Sequence, residues 1–351
     1  MIFDVKERVF HFKQPAGTSR GIYLTRKSWF ITLDNEDGKK GVGECAPLPD
    51  LSIDALPHYE EILHARLTTI LPELADAQKL PDAFERQLGI ADRTFRDYPS
   101  MRFGLETALL NLHHGERFFD TPFSRGEEGI PINGLVWMGC YDEMEKRMEE
   151  KIEKGFHCVK IKIGAIRFDE ELELLRKIRK RFSKDMIEIR TDANGAFLPA
   201  EAMDRLQQLA RFHIHSIEQP IRQHQWHEMA ELCRLSPVPI ALDEELIGLS
   251  KIDEKNEMLE MVRPQYIVLK PSLHGGIAGC REWIELADKL GVKSWMTSAL
   301  ESNVGLNAIA QFAAHVYGEH ITFHQGLGTG QLFNDNTDSS LSLQGEYIWH
   351  K

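Results

Sequence analysis

Cysteine is sparse in this sequence. The five residues Cys45, Cys140, Cys158, Cys233 and Cys280 form no CxxC pair and are odd in number. Reduced thiols of a cytoplasmic protein suit that pattern better than a disulfide framework. Positive charge is also in short supply. A formal net charge of -12 speaks against nucleic acid or an anionic membrane surface as partner. No uninterrupted apolar run is long enough to span a bilayer, and the N-terminal MIFDVKERVF carries charges where a leader would be apolar. No Walker-type loop and no Ser-His-Asp order occurs. The run from Gly326 to Gly330 is a weak dinucleotide signal, because no helical pattern follows it.

What the sequence does contain is enough apolar residue, 42%, for well-packed cores across 351 residues. Strand-like runs from Phe3 to Phe12, Gly21 to Leu33 and Gly41 to Cys45 predict an antiparallel meander, with Asn35-Glu36-Asp37-Gly38 as a hairpin turn. Helical patterning then holds from Ile53 to about Leu112. Residues 1–125 are therefore expected to form an α+β domain.

From Ile130 onward, short apolar strands alternate with amphipathic helices. The strands are read at Pro131 to Trp137, Cys158 to Ile163, Ile187 to Thr191, Ile214 to Ile217, Pro239 to Leu242, Tyr266 to Leu269, Ser294 to Thr297 and Ile321 to Phe323. Eight strands and seven helices predict an α/β barrel over 126–324, although an open doubly wound sheet would satisfy the alternation too. The segment 325–351 is expected to return to the first domain.

Chemistry in a barrel gathers where its strands finish. The strand ends supply Lys160 and Lys162, then Asp192, Glu218, Asp243 and Lys270. Any one acid there is ordinarily a helix cap or a solvated loop residue. Five consecutive strands at matching register are harder to explain that way. Three carboxylates without histidine or cysteine form an all-oxygen set suited to Mg2+. A buried lysine beside a cation and a second lysine is expected to have its pKa lowered, as a general base needs. Glu188 and Arg190 share the inward face with Asp192 and predict an internal ion pair. His215, facing away from Glu218, is expected to pack against a helix, and Cys158 to be a small buried residue.

Lys160-Ile161-Lys162, Asp192-Ala193-Asn194, Ile217-Glu218-Gln219-Pro220, Leu242-Asp243-Glu244 and Leu269-Lys270-Pro271 together resemble the muconate-lactonising subgroup of the enolase superfamily. That resemblance spans nearly the whole chain. It implies a (β/α)7β modified TIM barrel with an N-terminal capping domain. It also implies Mg2+, with Mn2+ as a substitute, on Asp192, Glu218 and Asp243; Glu244 and Glu245 leave the third ligand less sharply defined. Lys162 would be the base, Lys160 its neighbour, and Lys270 would stand on the opposite face of a small carboxylate substrate.

The loops Thr297 to Asn303 and Gly326 to Phe333 look most like those of o-succinylbenzoate synthases. The implied reaction is a dehydration through an enediolate, with Asn194, Thr297, Ser298 and Arg20 contacting substrate. The alternatives are an N-acylamino-acid racemase or dipeptide epimerase and, in another class, a non-catalytic metal-binding relative. A homo-oligomer is open.

Overall fold

The computed structural model describes residues 1–18 and 21–351. Strands β1 (Ile2–Thr18), β2 (Gly21–Asp34) and β3 (Lys40–Cys45) form the antiparallel meander. Asn35 closes its second turn by accepting from the amides of Asp37 and Lys39 at 3.0 and 2.9 Å. The single helical stretch expected next is broken into α1 (Tyr59–Ala77), α2 (Ala83–Phe95) and α3 (Pro99–His114). Asp82 takes a left-handed conformation before α2, and Pro99 disfavours helix at the residue preceding it. Helix α3 lies directly on β3. A Cβ on Gly41 or Gly43 would stand about 2 Å from the carbonyl oxygens of Ala108 and Gly104, so only glycine permits that approach.

The barrel opens with β4 (Ile130–Pro131) and β5 (Gly134–Val136), where the sequence suggests one strand. It continues through α4 (Tyr141–Glu153), β6 (Cys158–Lys162), α5 (Phe168–Arg181), β7 (Glu188–Asp192), α6 (Pro199–Ala210) and β8 (Ser216–Glu218). Then come α7 (Trp226–Leu235), β9 (Ile240–Leu242), α8 (Ile252–Val262), β10 (Tyr266–Leu269), α9 (Gly276–Lys289), β11 (Lys293–Met296) and α10 (Asn303–Tyr317). Strands β5 to β11 pair in sequence order, all parallel. Their outward apolar side chains and the helices form one extended core.

The eighth strand falls elsewhere than predicted. Ile321 to Phe323 pairs with no strand among the described residues, and closure comes from Gln325, bridged to Ile132, and Gly326, bridged to Thr297. The buried Gln325 side chain completes the seam: its Oε1 accepts from the Met296 amide at 2.7 Å. Phe323 instead packs against Tyr266 and Trp295 at the barrel floor. A closure made by two adjacent single-residue bridges leaves no period-two pattern to read.

The C-terminal segment divides between the two domains. Leu332 and Asn334 pair with Lys13 and His11 of β1. Its final hairpin, β12 (Leu341–Gln344) and β13 (Tyr347–His350), pairs with β4 of the barrel, so the return to the capping domain is only partial.

Two buried glutamates fasten the capping domain to barrel helices. Glu44 accepts from the Ser302 amide and hydroxyl and from the Gly305 amide, at 2.6–2.9 Å, at the start of α10. Glu106 does the same for α9, through the Ile277 amide at 2.5 Å. Both exploit the unpaired N–H groups and positive potential of a helix N-terminus. Arg26, also buried, donates to the carbonyls of Ala46, Leu300 and Ala299. No helix among the described residues is long and apolar enough to cross a membrane.

Candidate active site

On β6, Val159 and Ile161 are buried against the helices, while Lys160 and Lys162 point inward. The strand has no wet face, so its lysines must find partners inside the barrel. Parallel pairing aligns Lys162 with Asp192, Asp192 with Glu218, and Glu218 with Ala241. This register brings the strand-end groups to one level.

The Lys160 ammonium stands 2.5 Å from Glu218 Oε2 and 3.0 Å from Asp192 Oδ2. Lys162 donates to Asp192 Oδ2 at 3.0 Å and to Asn194 Oδ1 at 2.7 Å. Lys270, across the barrel, is ion-paired with Asp243. Asn194 sits in the left-handed region and donates to Glu244 Oε1 at 2.9 Å.

These carboxylates act against burial at Lys160 and Lys270. Burial lowers the pKa of Lys160 and Lys270, but Asp192 and Glu218 beside the first and Asp243 beside the second outweigh it, and both ammoniums are held above their ordinary value. Burial, with the Asp192 charge, pushes Glu218 up to about 8. Asp192 lies well below the usual carboxylate range, because the Lys160 and Lys162 charges overcome its own burial.

Four carboxylates, those of Asp192, Glu218, Asp243 and Glu244, face three ammoniums. Glu218 Oε1 and Asp243 Oδ1 are buried oxygens without a hydrogen-bond partner among the described residues. An all-oxygen carboxylate set with orphaned acceptors is what a hard divalent cation requires, so the set fits Mg2+. Glu245 is turned to other partners: its oxygens accept from Gln219 Nε2 and the His224 amide at 3.0 and 2.7 Å.

Above this cluster opens a cavity of about 580 Å³, which Lys160, Lys162, Asp192, Asn194, Lys270, Thr297 and Ser298 line from the barrel. Phe12, Ala16, Leu48 and Leu51 line it from the capping domain, while Glu218 and Asp243 lie beneath. The Thr297 hydroxyl donates to the Gly326 carbonyl at 2.9 Å, and Ser298 Oγ shares a hydrogen with Thr329 Oγ1 at 2.6 Å. Both side chains therefore serve the seam as well as the cavity. Arg20 lies outside the described residues.

The sequence reading passed over His274. It is buried behind Lys270 and accepts from that residue's amide through Nδ1 at 3.0 Å. Its only signal is its position one turn beyond Lys270.

A family model described as "Enolase C-terminal domain-like" matches residues 143–341. The o-succinylbenzoate synthase of Desulfotalea psychrophila is 49% identical over 95% of each chain. The chain belongs to the enolase superfamily. The crystal structure of MenC from Desulfotalea psychrophila superposes with a TM-score of 0.83 at 43% identity, covering 99% of both chains. The L-Ala-D/L-Glu epimerase of Bacillus subtilis reaches the same TM-score at 20% identity, covering 100% of this chain and 96% of that one, and so shares the fold of the capped barrel.

Proposed function

We propose that this chain is an o-succinylbenzoate synthase, a hydro-lyase converting 2-succinyl-6-hydroxy-2,4-cyclohexadiene-1-carboxylate to 2-succinylbenzoate and water in menaquinone biosynthesis. The observation that carries the reading is the 49% identity to such a synthase along nearly the whole length of both chains. The lysine and carboxylate cluster supports it.

Mg2+, or Mn2+ in its place, held by Asp192, Glu218 and Asp243, would supply the positive charge that stabilises the carboxylate of an enediolate. Lys162 removes the ring proton alpha to that carboxylate. Still protonated, it then donates to the departing hydroxyl on the same face, releasing water. Asn194 fixes the Lys162 amine, 2.7 Å away. Lys160 remains an ammonium between Asp192 and Glu218. Lys270 faces the ring from the other side, where its cation stabilises the developing negative charge and meets the π face of the product. Thr297 and Ser298 meet substrate at the mouth, and the capping domain excludes water. A cytoplasmic location accords with the free cysteines and the soluble substrate.

The test is a spectrophotometric assay of purified protein with the cyclohexadiene carboxylate, with Mg2+ and with excess EDTA. Metal-dependent formation of the aromatic product is expected. A protein that binds Mg2+ without converting this substrate would overturn the reading. Lysines on opposite faces would then favour a racemase or epimerase, read as deuterium exchange at the α-carbon of N-acylamino acids and dipeptides.

A further inference from the structure

The floor of the barrel, at the end remote from the cavity, gathers a second set of ligating side chains. Cys158 begins β6, Glu188 begins β7, and His324 directly precedes the closing Gln325. One ligand atom from each, the thiol sulfur, a carboxylate oxygen and a ring nitrogen, lies within 4.8 Å of the other two. We propose that this trio is a site for a borderline divalent cation such as zinc, which ties the last strand to the second and third.

Sulfur, nitrogen and oxygen together select zinc-like ions over magnesium. Bonds of about 2.0–2.3 Å place tetrahedral ligands roughly 3.5 Å apart, so the trio needs to contract by about an ångström. Rotation of side chains at an edge that is partly open to solvent supplies that movement. Glu188 uses Oε1 for Arg190, at 2.7 Å, while its Oε2 stands 4.0 Å from the nearest cationic candidate, His215 Nε2. Oε1 also accepts from the Cys158 thiol at 3.3 Å, a bond that metal loading would replace, while no hydrogen bond engages Oε2 among the described residues.

Glu346 orients His324. Its Oε2 is 3.4 Å from His324 Nε2, and its carboxylate is itself fixed by the His157 amide at 2.7 Å. A carboxylate behind a ligating histidine is a common outer-shell arrangement. It leaves the other ring nitrogen for the cation.

Arg190 is a neighbouring cation: it pairs with Glu188, and its guanidinium lies 4.7 and 4.5 Å from the ring centres of Trp295 and Phe323. Glu346 is paired with the His157 ring at 2.8 Å. Loading the metal displaces the Cys158 thiol proton to solvent and forms a metal–thiolate bond.

The test uses full-length protein with saturating Mg2+ and Cys140→Ser to remove the exposed thiol. Cd2+ is titrated as the zinc probe and its thiolate charge-transfer absorbance is followed. A band saturating at one equivalent per chain is expected, together with a higher thermal midpoint and unchanged turnover. Adding Cys158→Ser should abolish the band, and His324→Gln should weaken binding by about 10- to 100-fold. A band that survives Cys158→Ser, or none in the Cys140→Ser protein, overturns the proposal. Should Cys158→Ser lose turnover and so report a damaged barrel, His324→Gln decides: unchanged affinity there overturns it.

Discussion

Asn194 links Lys162 to Glu244, accepting from the ammonium through one amide atom and donating to the carboxylate through the other. The link joins the ends of two non-adjacent strands, β6 and β9, across the loop after β7. An amide is well suited to this, because it offers donor and acceptor a fixed distance apart. Asn194→Ala should lower kcat by roughly 10- to 100-fold, with Mg2+ affinity changed far less. Asn194→Asp would place a third carboxylate against Glu244 and Asp192 and should do worse. Steady-state kinetics beside Mn2+ titration followed by electron paramagnetic resonance checks both.

Lys162→Ala should reduce turnover by at least about 10³-fold, since it removes the group proposed as acid and base. Lys270→Ala should cost a comparable factor by a different route, leaving Asp243 buried without its cation. Thermal denaturation separates them: the second variant should also lose about 3 kcal/mol or more of stability in the metal-free protein, and regain part of it with Mg2+. Equal stability of the two metal-free variants would contradict this account.

Removing the metal should itself destabilise the protein. With four carboxylates facing three ammoniums, Mg2+ at about 100 times its dissociation constant should add roughly 2.7 kcal/mol. The measurement is the denaturant midpoint with Mg2+ and with EDTA. Asp192→Asn should abolish the difference.

Glu171 provides a pH prediction. It is buried on α5 and accepts from the Gly164 amide at 2.6 Å, just beyond Lys162. Burial raises its pKa to about 7, against amides that favour the charged form. Between the ordinary value near 4.5 and 7, the folded chain holds a proton that the unfolded chain has released. Stability from this group is therefore complete below about 4.5 and declines as pH rises to 7, by up to about 3 kcal/mol. Glu171→Gln should flatten that part of the profile, as read by urea denaturation at a series of pH values.

Much of the site was legible because strand ends carry chemistry and a strand's side chains alternate with period two. Lys160, Lys162, Asp192, Glu218, Asp243 and Lys270 announce themselves by register alone, and the Glu188–Arg190 pair follows from the same parity. The eighth strand did not, because two single-residue bridges, at Gln325 and Gly326, are too short to leave a pattern. His215 lies at the bottom of the barrel, as its position before strand four implies, but it packs beside Tyr266 and Phe323 rather than against a helix. The three-residue strand β8 starts after it, so strand parity does not extend back to His215. The sequence shows which charges are close, but not that Lys160, Lys162 and Lys270 each touch a carboxylate.

Glu44 tests the join between the domains. Its carboxylate collects four donors, including Ser28 Oγ at 2.7 Å, and Glu44→Ala would leave the α10 amides buried without an acceptor. A loss of about 3 kcal/mol is expected, with Glu44→Gln intermediate. Chemical denaturation measures it.

The seam at Gln325 also determines when this barrel can exist. Its partners Ile132 and Thr297 are separated from each other by nearly half the chain, and Gln325 is followed by only the last few elements. During synthesis, β5 and β11 are therefore open edges until almost the entire polypeptide has emerged. Unpaired strand edges invite association with other chains. The interval before closure is thus the period of greatest exposure to misassembly, and a chain truncated before residue 325 would stay in it permanently.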